Sequence, residues 1–330
     1  MPSLDPAIAE IRLAVRTALA DLPEGSTVIV ALSGGADSVA LAAATAFEAP
    51  KLGLAAAAVT VDHGLQADSA ETAARAARAA ADLGLDPLVV RVDVSGDGGP
   101  EAAARAARYR VLRDAAADAR AAAVLLGHTL DDQAETVLLG LARGSGAASL
   151  QGMAPEREDD EGVRWLRPLL GVRRATTRAA CAAAGLEPWD DPHNRDDRYT
   201  RVRVRERVLP VLETELGPGI AEALARTAEQ LREDAEAFDE MIHETIEDIV
   251  EHAEAGISVS VAALAANPAA LRNRIIRLVV DSEFGVSLTR TQTVEVARLV
   301  TDWAGQGPID LPGCAATRRG GQLVFTATGR

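Results

Sequence analysis

The residues best suited to chemistry form a short turn near the N-terminus. An apolar, β-branched run over Thr27–Leu32 leads into Ser33–Ser38 (SGGADS), and a helical stretch follows. Glycines let the backbone approach an anion closely, and the N–H groups at a helix start attract phosphate. The hydroxyls of Ser33 and Ser38 add donors, whereas Asp37 would hold a Mg²⁺ bound to that phosphate. The turn therefore predicts a phosphate site; the structural alternative is a pair of serine and aspartate helix caps.

A second polar segment, His128–Thr136 (HTLDDQAET), follows another apolar run. Asp132 and Glu135 are three residues apart, so they project from one face of the helix predicted there. Two carboxylates beside a phosphate site can hold a second Mg²⁺ or the ammonium group of a substrate. Thr129 and Asp132 also fit a helix-capping box, which is a purely structural alternative. The role of Asp131 stays open.

The middle of the chain is basic, although the whole protein has a net charge of −15. The stretch 164–178 holds five arginines and no acid, and 195–207 holds six arginines against three acids. Arg201, Arg203 and Arg205 alternate with valines, so they would form one row on a strand and spread over several faces on a helix. Because arginine binds phosphate through paired donors, these three residues are candidates for contacts with phosphate groups.

Further candidates lie near the predicted phosphate site. Arg108 is in the helical stretch 101–119, three residues after Arg105, and either guanidinium could meet phosphate or RNA. Asp62 and His63 end the second apolar run, where a bound nucleotide would lie. Solvent-exposed arginines and a structural histidine are the alternatives for these positions.

The first half of the chain alternates apolar, strand-like runs with alanine-rich helical stretches. This order predicts a doubly wound α/β fold with a mainly parallel sheet and helices on both faces. The predicted strands are 27–32, 54–61, 88–94 and 122–127, and the predicted helices are 38–47, 67–83, 101–119 and 131–142. Ligands bind beyond the carboxyl ends of the strands in such sheets. Both polar segments, SGGADS and HTLDDQAET, lie at such ends.

The second half predicts a smaller, mainly helical domain. The polar stretch 156–162 is interpreted as a loop. Pro210 and the glycine-rich turn 217–219 indicate a boundary, which gives a catalytic domain over 1–216 and a second domain over 217–330. In the second domain we predict helices over 220–255, 269–280 and 289–301 and strands over 308–311 and 322–326. This domain shows no chemical motif, so we expect a packing or docking role.

Composition excludes several classes of protein. No apolar run reaches the roughly 18 residues that cross a bilayer, and the N-terminus lacks a signal-peptide core, so a cytoplasmic protein is expected. The two cysteines, Cys181 and Cys314, exclude a disulfide framework and a four-cysteine zinc site. Lys51 is the only lysine, which excludes a nucleotide loop of the Gly-Lys-Ser/Thr type.

SGGADS resembles the PP-loop of the ATP pyrophosphatases, enzymes that cleave ATP to AMP and pyrophosphate. Over most of residues 27–216 the chain resembles the tRNA(Ile)-lysidine synthetase family. The resemblance is carried by VDHGL (61–65), EAAARAARY (101–109), LGHTLDDQAETVLLGLARGSG (126–146), RPLL (167–170) and PWDDPHNRDDRYTRVRVRERVLP (188–210). The chain departs from the family at Val202, where asparagine is frequent, and at Gln66, where arginine is frequent.

The resemblance implies a Rossmann-like PP-loop fold and a ligase that uses ATP and Mg²⁺. Such an enzyme adenylates the C2 oxygen of the wobble cytidine in a CAU-anticodon tRNA(Ile). An amine of free L-lysine then displaces AMP. The product base, lysidine, pairs with adenosine, so the tRNA reads AUA instead of AUG. The sequence leaves the oligomeric state open, with a homodimer as one candidate.

The resemblance also implies roles for individual residues. ATP would be bound by Ser33, Gly34, Gly35, Ala36, Asp37, Ser38 and Asp62. The catalytic set would be Asp37, Arg108, His128, Asp132 and Glu135. Within that set, lysine would be bound by Asp132 and Glu135, the metal by Asp37 and Asp132, and the triphosphate by Arg108. The tRNA would meet Arg201, Arg203 and Arg205.

Three other functions remain as alternatives. A sulfur-transferring PP-loop enzyme of tRNA needs paired cysteines or a cluster site, which the wide separation of Cys181 and Cys314 disfavours. An amidating enzyme of small molecules, such as a relative of the NAD or GMP synthetases, leaves the arginine-rich middle stretch unexplained. A non-catalytic sensor of adenine nucleotides leaves the acids of HTLDDQAET unexplained.

Overall fold

The computed structural model describes residues 4–64, 68–92, 100–144, 146–191, 196–253 and 256–328. The chain divides into two compact units, Met1–Arg232 and Glu233–Arg330. The division falls inside a long helix, Ile220–Ile249, whereas the sequence places the boundary at the glycine-rich turn just before that helix. No helix in the described ranges is long and apolar enough to cross a membrane.

The first unit alternates helices and strands along the chain. Its helices are α1 (Pro6–Leu19), α2 (Ala36–Glu48), α3 (Ser69–Asp82), α4 (Pro100–Ala119), α5 (Leu130–Ala142), α6 (Ala147–Leu150), α7 (Arg174–Ala183), α8 (Thr200–Arg203), α9 (Leu209–Leu216) and the start of α10 (Ile220–Ile249). Its strands are β1 (Thr27–Ala31), β2 (Ala55–Asp62), β3 (Asp86–Arg91), β4 (Ala121–Leu125), β5 (Glu156–Glu158) and β6 (Arg164–Leu166). A 3₁₀ turn spans Ala49–Leu52, and a π-helical turn spans Val204–Val208.

The six strands form one sheet in the order β3-β2-β1-β4-β6-β5. All neighbouring pairs are parallel except β5 with β6. The predicted doubly wound, mainly parallel α/β fold is therefore confirmed. The end of the third predicted strand, Val94, lies outside the described residues.

The interpretation of 156–162 as a loop is wrong for its first three residues, which form β5. The turn between β5 and β6 is organised by the buried carboxylate of Asp159. It accepts hydrogen bonds from the backbone N–H of Val163 at 3.0 Å and from the Trp165 indole at 2.9 Å. These hydrogen bonds let a highly charged segment pair with an apolar strand. A local sequence pattern does not reveal such hydrogen bonds.

Helices cover both faces of the sheet because the strands are apolar on both sides. One face packs against α1 and α2, with Val15, Leu19 and Leu41 fully buried. The other face packs against α4, where Leu112 and the strand residue Trp165 are buried together. The two central strands, β1 and β4, are thereby held rigidly, so the loops at their carboxyl ends have defined positions.

The close approach of those two loops depends on Gly127. A Cβ atom at this position would lie 3.2 Å from the backbone carbonyl carbon of Asp37, tighter than nearly all real contacts of that kind. The segment after β4 can therefore lie directly against the start of α2. This packing brings the SGGADS and HTLDDQAET segments side by side.

The second unit combines helices with an antiparallel sheet. Its helices after α10 are α11 (Val261–Ala266), α12 (Ala269–Phe284) and α13 (Arg290–Thr301). Its strands are β7 (Val250–Ala253), β8 (Gly256–Ser260), β9 (Ile309–Leu311), β10 (Cys314–Arg319) and β11 (Gln322–Ala327). They pair antiparallel in the order β7-β8-β11-β10-β9 around a core that includes Val259, Leu323 and Phe325.

The helix predicted over 220–255 is too long. It ends at Ile249, and the chain continues as β7, which pairs with β8 from Val250 opposite Val259 onward. Pairing with β8 satisfies the backbone N–H and C=O groups of this segment without a helix. Tertiary context of this kind overrides local helix propensity. The strands β7, β8 and β10 were not predicted, whereas the two strands predicted near the C-terminus are present.

We predict that Leu125→Ala lowers the free energy of unfolding by about 2–5 kcal/mol, because Leu125 in β4 is fully buried and alanine leaves a cavity. Leu141→Ala is the matched control, since Leu141 on α5 is 58% exposed. Urea unfolding followed by circular dichroism measures both. Equal stability of the two variants would contradict the assignment of β4 to the core.

Candidate active site

A cavity of about 720 Å³ opens at the carboxyl ends of β1, β2 and β4. The SGGADS turn forms one wall, the end of β2 forms another, and His128 and Asp132 form a third. The segment 188–191 and two arginines of α7, Arg174 and Arg178, complete the lining. This is the edge at which parallel α/β sheets bind ligands, and it is where the sequence places the site.

The SGGADS turn is fixed by its own serines. The Ser33 backbone N–H donates to Ser38 Oγ at 3.2 Å, and the Ser38 hydroxyl donates to the Gly35 carbonyl oxygen at 2.9 Å. Gly34 has a φ of +84°, which other residues rarely adopt. Gly35 is the N-cap of α2 and supplies no side-chain cap, so the helix start offers its N–H groups to an anion.

The first turn of α5 contains both a helix cap and a carboxylate oxygen that faces the cavity, the two interpretations that the sequence leaves open. Thr129 and Asp132 form a capping box, in which the Thr129 N–H donates to Asp132 Oδ2 at 2.8 Å. The other carboxylate oxygen, Oδ1, lies 2.8 Å from Arg174 Nη2. Asp132 therefore caps the helix with one oxygen and presents the other toward the cavity. Asp131 accepts the Arg174 backbone N–H at 2.7 Å, which ties α5 to the start of α7.

Arg174 joins the three acids of the site, which we call the acid triad: Asp37, Asp132 and Glu135. Its guanidinium lies 3.4 Å from Asp37 Oδ2, 2.8 Å from Asp132 Oδ1 and 3.3 Å from Glu135 Oε1. Burial alone would lower the pKa of Arg174, but the three carboxylates outweigh it and raise that pKa above its ordinary value. Asp37 is also held by the Thr177 hydroxyl, which donates to its Oδ1.

The acids of the triad differ in their electrostatic surroundings. Burial raises the pKa of Asp37 above its ordinary value, against the opposing effects of Thr177 and Arg174. Burial also acts on Asp132, but Arg174 and the Thr129 N–H outweigh it and hold the pKa of Asp132 below its ordinary value. Asp132 is therefore ionised at neutral pH.

Two of the three alternating arginines point to the acid triad. Arg201 Nε donates to Glu135 Oε2 at 2.9 Å, and Arg205 Nε donates to Glu135 Oε1 at 2.7 Å. Arg203 instead donates to the Asp197 carbonyl oxygen at 2.7 Å and is more exposed. The segment is helical, so the three side chains do not form one row. Glu135 is fully buried, which explains why it takes three guanidinium partners.

The remaining candidates lie on the β2 and α4 sides of the cavity. Arg108 and His63 line it, and the pKa of His63 is lowered by burial and by the nearby Arg108. Burial and surrounding arginines lower the pKa of His128 to about 3, so its ring is neutral. Asp62 accepts the Gly64 N–H at 2.9 Å and lies 3.9 Å from Arg91, so it is engaged with its own loop and with β3.

The structure brings together most of the residues predicted from the sequence and adds three more. Arg174, Thr177 and Trp189 were not singled out. The Trp189 N–H donates to the Gly34 carbonyl oxygen at 2.8 Å, which links the PWDD segment to the phosphate turn. Arg174 lies in the basic stretch 164–178, so the sequence shows its charge. It does not show its partners, because they are distant in sequence. Residues 192–195 of the segment 188–210, which carries part of the family resemblance, lie outside the described residues.

The two cysteines do not form a reactive pair. Cys181 is buried in the first unit, its thiol lies 3.5 Å from the Ala36 carbonyl oxygen, and burial raises its pKa to about 11. Cys314 is buried in the second unit, where burial also raises its pKa. Both thiols are therefore protonated at neutral pH, which disfavours the sulfur-transfer alternative.

The carboxylates suit a metal that arrives with a phosphate ligand. No cluster of three or more His, Cys, Asp or Glu residues arranged for a metal occurs in the described ranges. Mg²⁺ at nucleotide sites is commonly held by one or two carboxylates together with substrate phosphates and water. Asp37 and Asp132, which share Arg174 beside the phosphate turn, fit that requirement.

The chain matches two known domains and several full-length relatives. The PP-loop domain matches residues 9–212, and the TilS substrate binding domain matches residues 260–324. A tRNA(Ile)-lysidine synthase from Leifsonia xyli subsp. xyli is 62% identical over 306 residues, which cover 92% of this chain and 91% of that protein. The tRNA(Ile)-lysidine synthase of Thermobifida fusca is 52% identical over 327 residues and covers 98% of both chains.

A solved structure supports the fold. The U34-tRNA thiolase NcsA from Methanococcus maripaludis, solved with its 4Fe-4S cluster, has a TM-score of 0.59 and 20% sequence identity, covering 69% of this chain and 80% of that chain. At this identity the likeness concerns the fold alone. The domain matches and the relatives, which extend over nearly the whole chain, show that this chain belongs to the tRNA(Ile)-lysidine synthase family of PP-loop proteins.

Proposed function

We propose that this protein is an ATP-dependent ligase that joins lysine to C2 of the wobble cytidine of CAU-anticodon tRNA(Ile). The product, lysidine, changes decoding from AUG to AUA. The observation that carries the proposal is Arg174, which contacts Asp37 of the phosphate turn and Asp132 and Glu135 of α5 at once. The phosphate turn and the acids that would bind the ammonium group of lysine therefore lie beside each other. Adenylation followed by amine transfer requires this arrangement.

The first step is adenylation of the cytidine. The C2 oxygen attacks the α-phosphorus of ATP, a new O–P bond forms, and the bond to pyrophosphate breaks. The N–H groups at the start of α2 and the serine hydroxyls would stabilise the charge on the phosphates, and Arg108 would add a guanidinium. Mg²⁺, held by Asp37 and Asp132, would neutralise phosphate charge.

The second step is attack by lysine. One of its amines, in the neutral form, bonds to C2, AMP departs with the electron pair of the C2–O bond, and the proton that the amine loses passes to solvent. Free lysine carries ammonium groups and a carboxylate, so its site needs charges of both signs. Asp132 and Glu135 would hold an ammonium group, and Arg174 would meet the carboxylate. Holding the amine near the activated carbon would supply much of the rate.

His128 would act as a neutral hydrogen-bonding group beside the nucleotide, because its lowered pKa keeps it uncharged. We propose that Asp62 positions the loop after β2 near the adenosine. Of the three arginines predicted for tRNA, Arg203 remains our candidate for a phosphate contact. Arg201 and Arg205 would instead hold Glu135 in place.

The second unit would dock the tRNA, since the TilS substrate binding domain matches 260–324. We place the reaction in the cytoplasm, where its tRNA and free lysine occur. A homodimer stays a prediction that a measurement of molecular mass in solution decides.

Two matched variants separate the two steps of the reaction. Asp37→Asn should lower tRNA-dependent release of pyrophosphate by about 100-fold or more, because it removes a carboxylate that would hold Mg²⁺ on the phosphates. Glu135→Gln should keep that release while lowering transfer of lysine to tRNA by about 100-fold. Glutamine is preferred to alanine because it leaves the three arginines with a hydrogen-bond acceptor.

Asp114→Asn on the exposed side of α4 is the control, with the same change of charge and native rates expected for both steps. Native lysine transfer by the Glu135→Gln variant would remove Glu135 from the lysine site. Loss of pyrophosphate release in the control would mean that net charge, rather than the site, governs the assay.

The buried His128 predicts a pH dependence of stability. Its folded pKa of about 3 lies below the ordinary value of 6.5, so between these values the unfolded chain binds a proton that the folded chain does not. Its contribution is thus fully present above pH 6.5 and is lost as the pH falls toward 3. Urea unfolding measures the difference in free energy of unfolding between the native protein and His128→Asn, which should be constant above pH 6.5. Below pH 6.5 the native protein should lose stability relative to the variant. A difference independent of pH would show that folding does not lower the pKa of His128.

A further inference from the structure

Most arginines of the basic middle stretch are paired with acids. Arg174, Arg201 and Arg205 contact the acid triad, and Arg164 and Arg173 pair with Glu156 and Glu222. The charges of these guanidiniums are compensated within the protein. A chain of net charge −15 needs uncompensated positive charge to attract RNA phosphates. Arginines without a carboxylate partner can supply it.

Three such arginines surround the side chain of Tyr109, and we call them the Tyr109 arginine cluster: Arg105, Arg108 and Arg167. Arg105 Nη2 donates to the Tyr109 hydroxyl at 3.3 Å, and its guanidinium carbon lies 4.9 Å from the centre of the ring. Arg108 and Arg167 interact with the same phenol. No ion pair with a described carboxylate involves any of the three, so their charge is uncompensated in the part of the chain that the structure describes.

Part of the cluster is fixed in the protein interior. Arg167 is only 8% exposed, and its Nη1 is fixed on the Ala154 carbonyl oxygen at 2.8 Å. Tyr109 packs on the buried Trp165, with ring centres 4.9 Å apart. The Nε atoms of Arg108 and Arg167 and the Nδ1 atom of His128 are buried and have no hydrogen-bond partner among the described atoms. Buried polar atoms without partners are uncommon in native proteins and indicate a missing ligand.

The position of Arg105, at the outer end of the cluster, points to RNA rather than to the triphosphate. Arg108 lines the cavity, whereas Arg105 and Arg167 do not, and Arg105 is exposed to solvent on the outer part of α4. The triphosphate already has the SGGADS turn at the start of α2. We propose that the Tyr109 arginine cluster binds a phosphodiester of the RNA substrate through Arg105 and so holds the target nucleotide at the cavity mouth, while Arg108, at the cavity end of the cluster, meets the triphosphate. This inference rests on the proposed function, because it takes tRNA as the substrate.

The test is the salt dependence of binding to a CAU-anticodon tRNA(Ile) transcript. Each phosphate contact contributes a slope of about 0.7–0.9 to the logarithmic plot of affinity against salt. Arg105→Gln should lower the slope by about that amount and weaken binding severalfold at 0.1 M salt, with an unchanged KM for ATP. Arg105→Lys should restore the slope, because it retains the charge. Arg110→Gln, an exposed arginine on the same helix, is the matched control and should give the native slope.

A native slope for Arg105→Gln would overturn the proposal. A raised KM for ATP with a native slope would also overturn it and assign the cluster to the polyphosphate instead. Failure of the proposed function is a separate outcome: native protein that forms no lysidine would refute the function, while the slope of Arg105→Gln still reports on the phosphate contact.

Discussion

The buried guanidinium of Arg174 is the interaction on which the arrangement of the site depends. Three carboxylates that lie close together in a partly dry environment repel one another, and each loses hydration. Arg174 compensates them together, and Arg201 and Arg205 add two more positive charges at Glu135. Because the acids belong to α2 and α5 and the arginine to α7, this network also fixes three helices relative to one another.

The parallel sheet makes that network possible. Strands β1 and β4 are neighbours, so the segments that follow them emerge at the same edge, and Gly127 lets them approach without a side chain between them. A phosphate-binding helix start and an acidic helix start are then adjacent. Removing one partner of such a buried network leaves uncompensated charge that costs about 3–5 kcal/mol. Alanine variants of these acids would therefore mix effects on folding with effects on catalysis.

Local sequence signals were sufficient for part of this account. The SGGADS turn combines glycines, hydroxyls and a helix start within six residues, and the spacing of Asp132 and Glu135 places both on one helical face. The alternation of apolar runs predicted the parallel sheet. The partners of these residues could not be predicted in the same way, because Arg174 is far from Asp37 in sequence and only the folded chain brings them together. The same holds for β7, whose strand conformation depends on pairing with β8 rather than on its own residues.

The central claim is that lysine becomes attached to the wobble cytidine, and the direct measurement is transfer of labelled lysine to a CAU-anticodon tRNA(Ile) transcript with Mg-ATP. Mild alkali removes aminoacyl esters and should leave a lysine that is bonded to a base. The account predicts alkali-stable label on this transcript and none on a transcript that differs only in carrying uridine at the wobble position. Absence of stable label with folded, ATP-binding protein, or equal label on both transcripts, would contradict it.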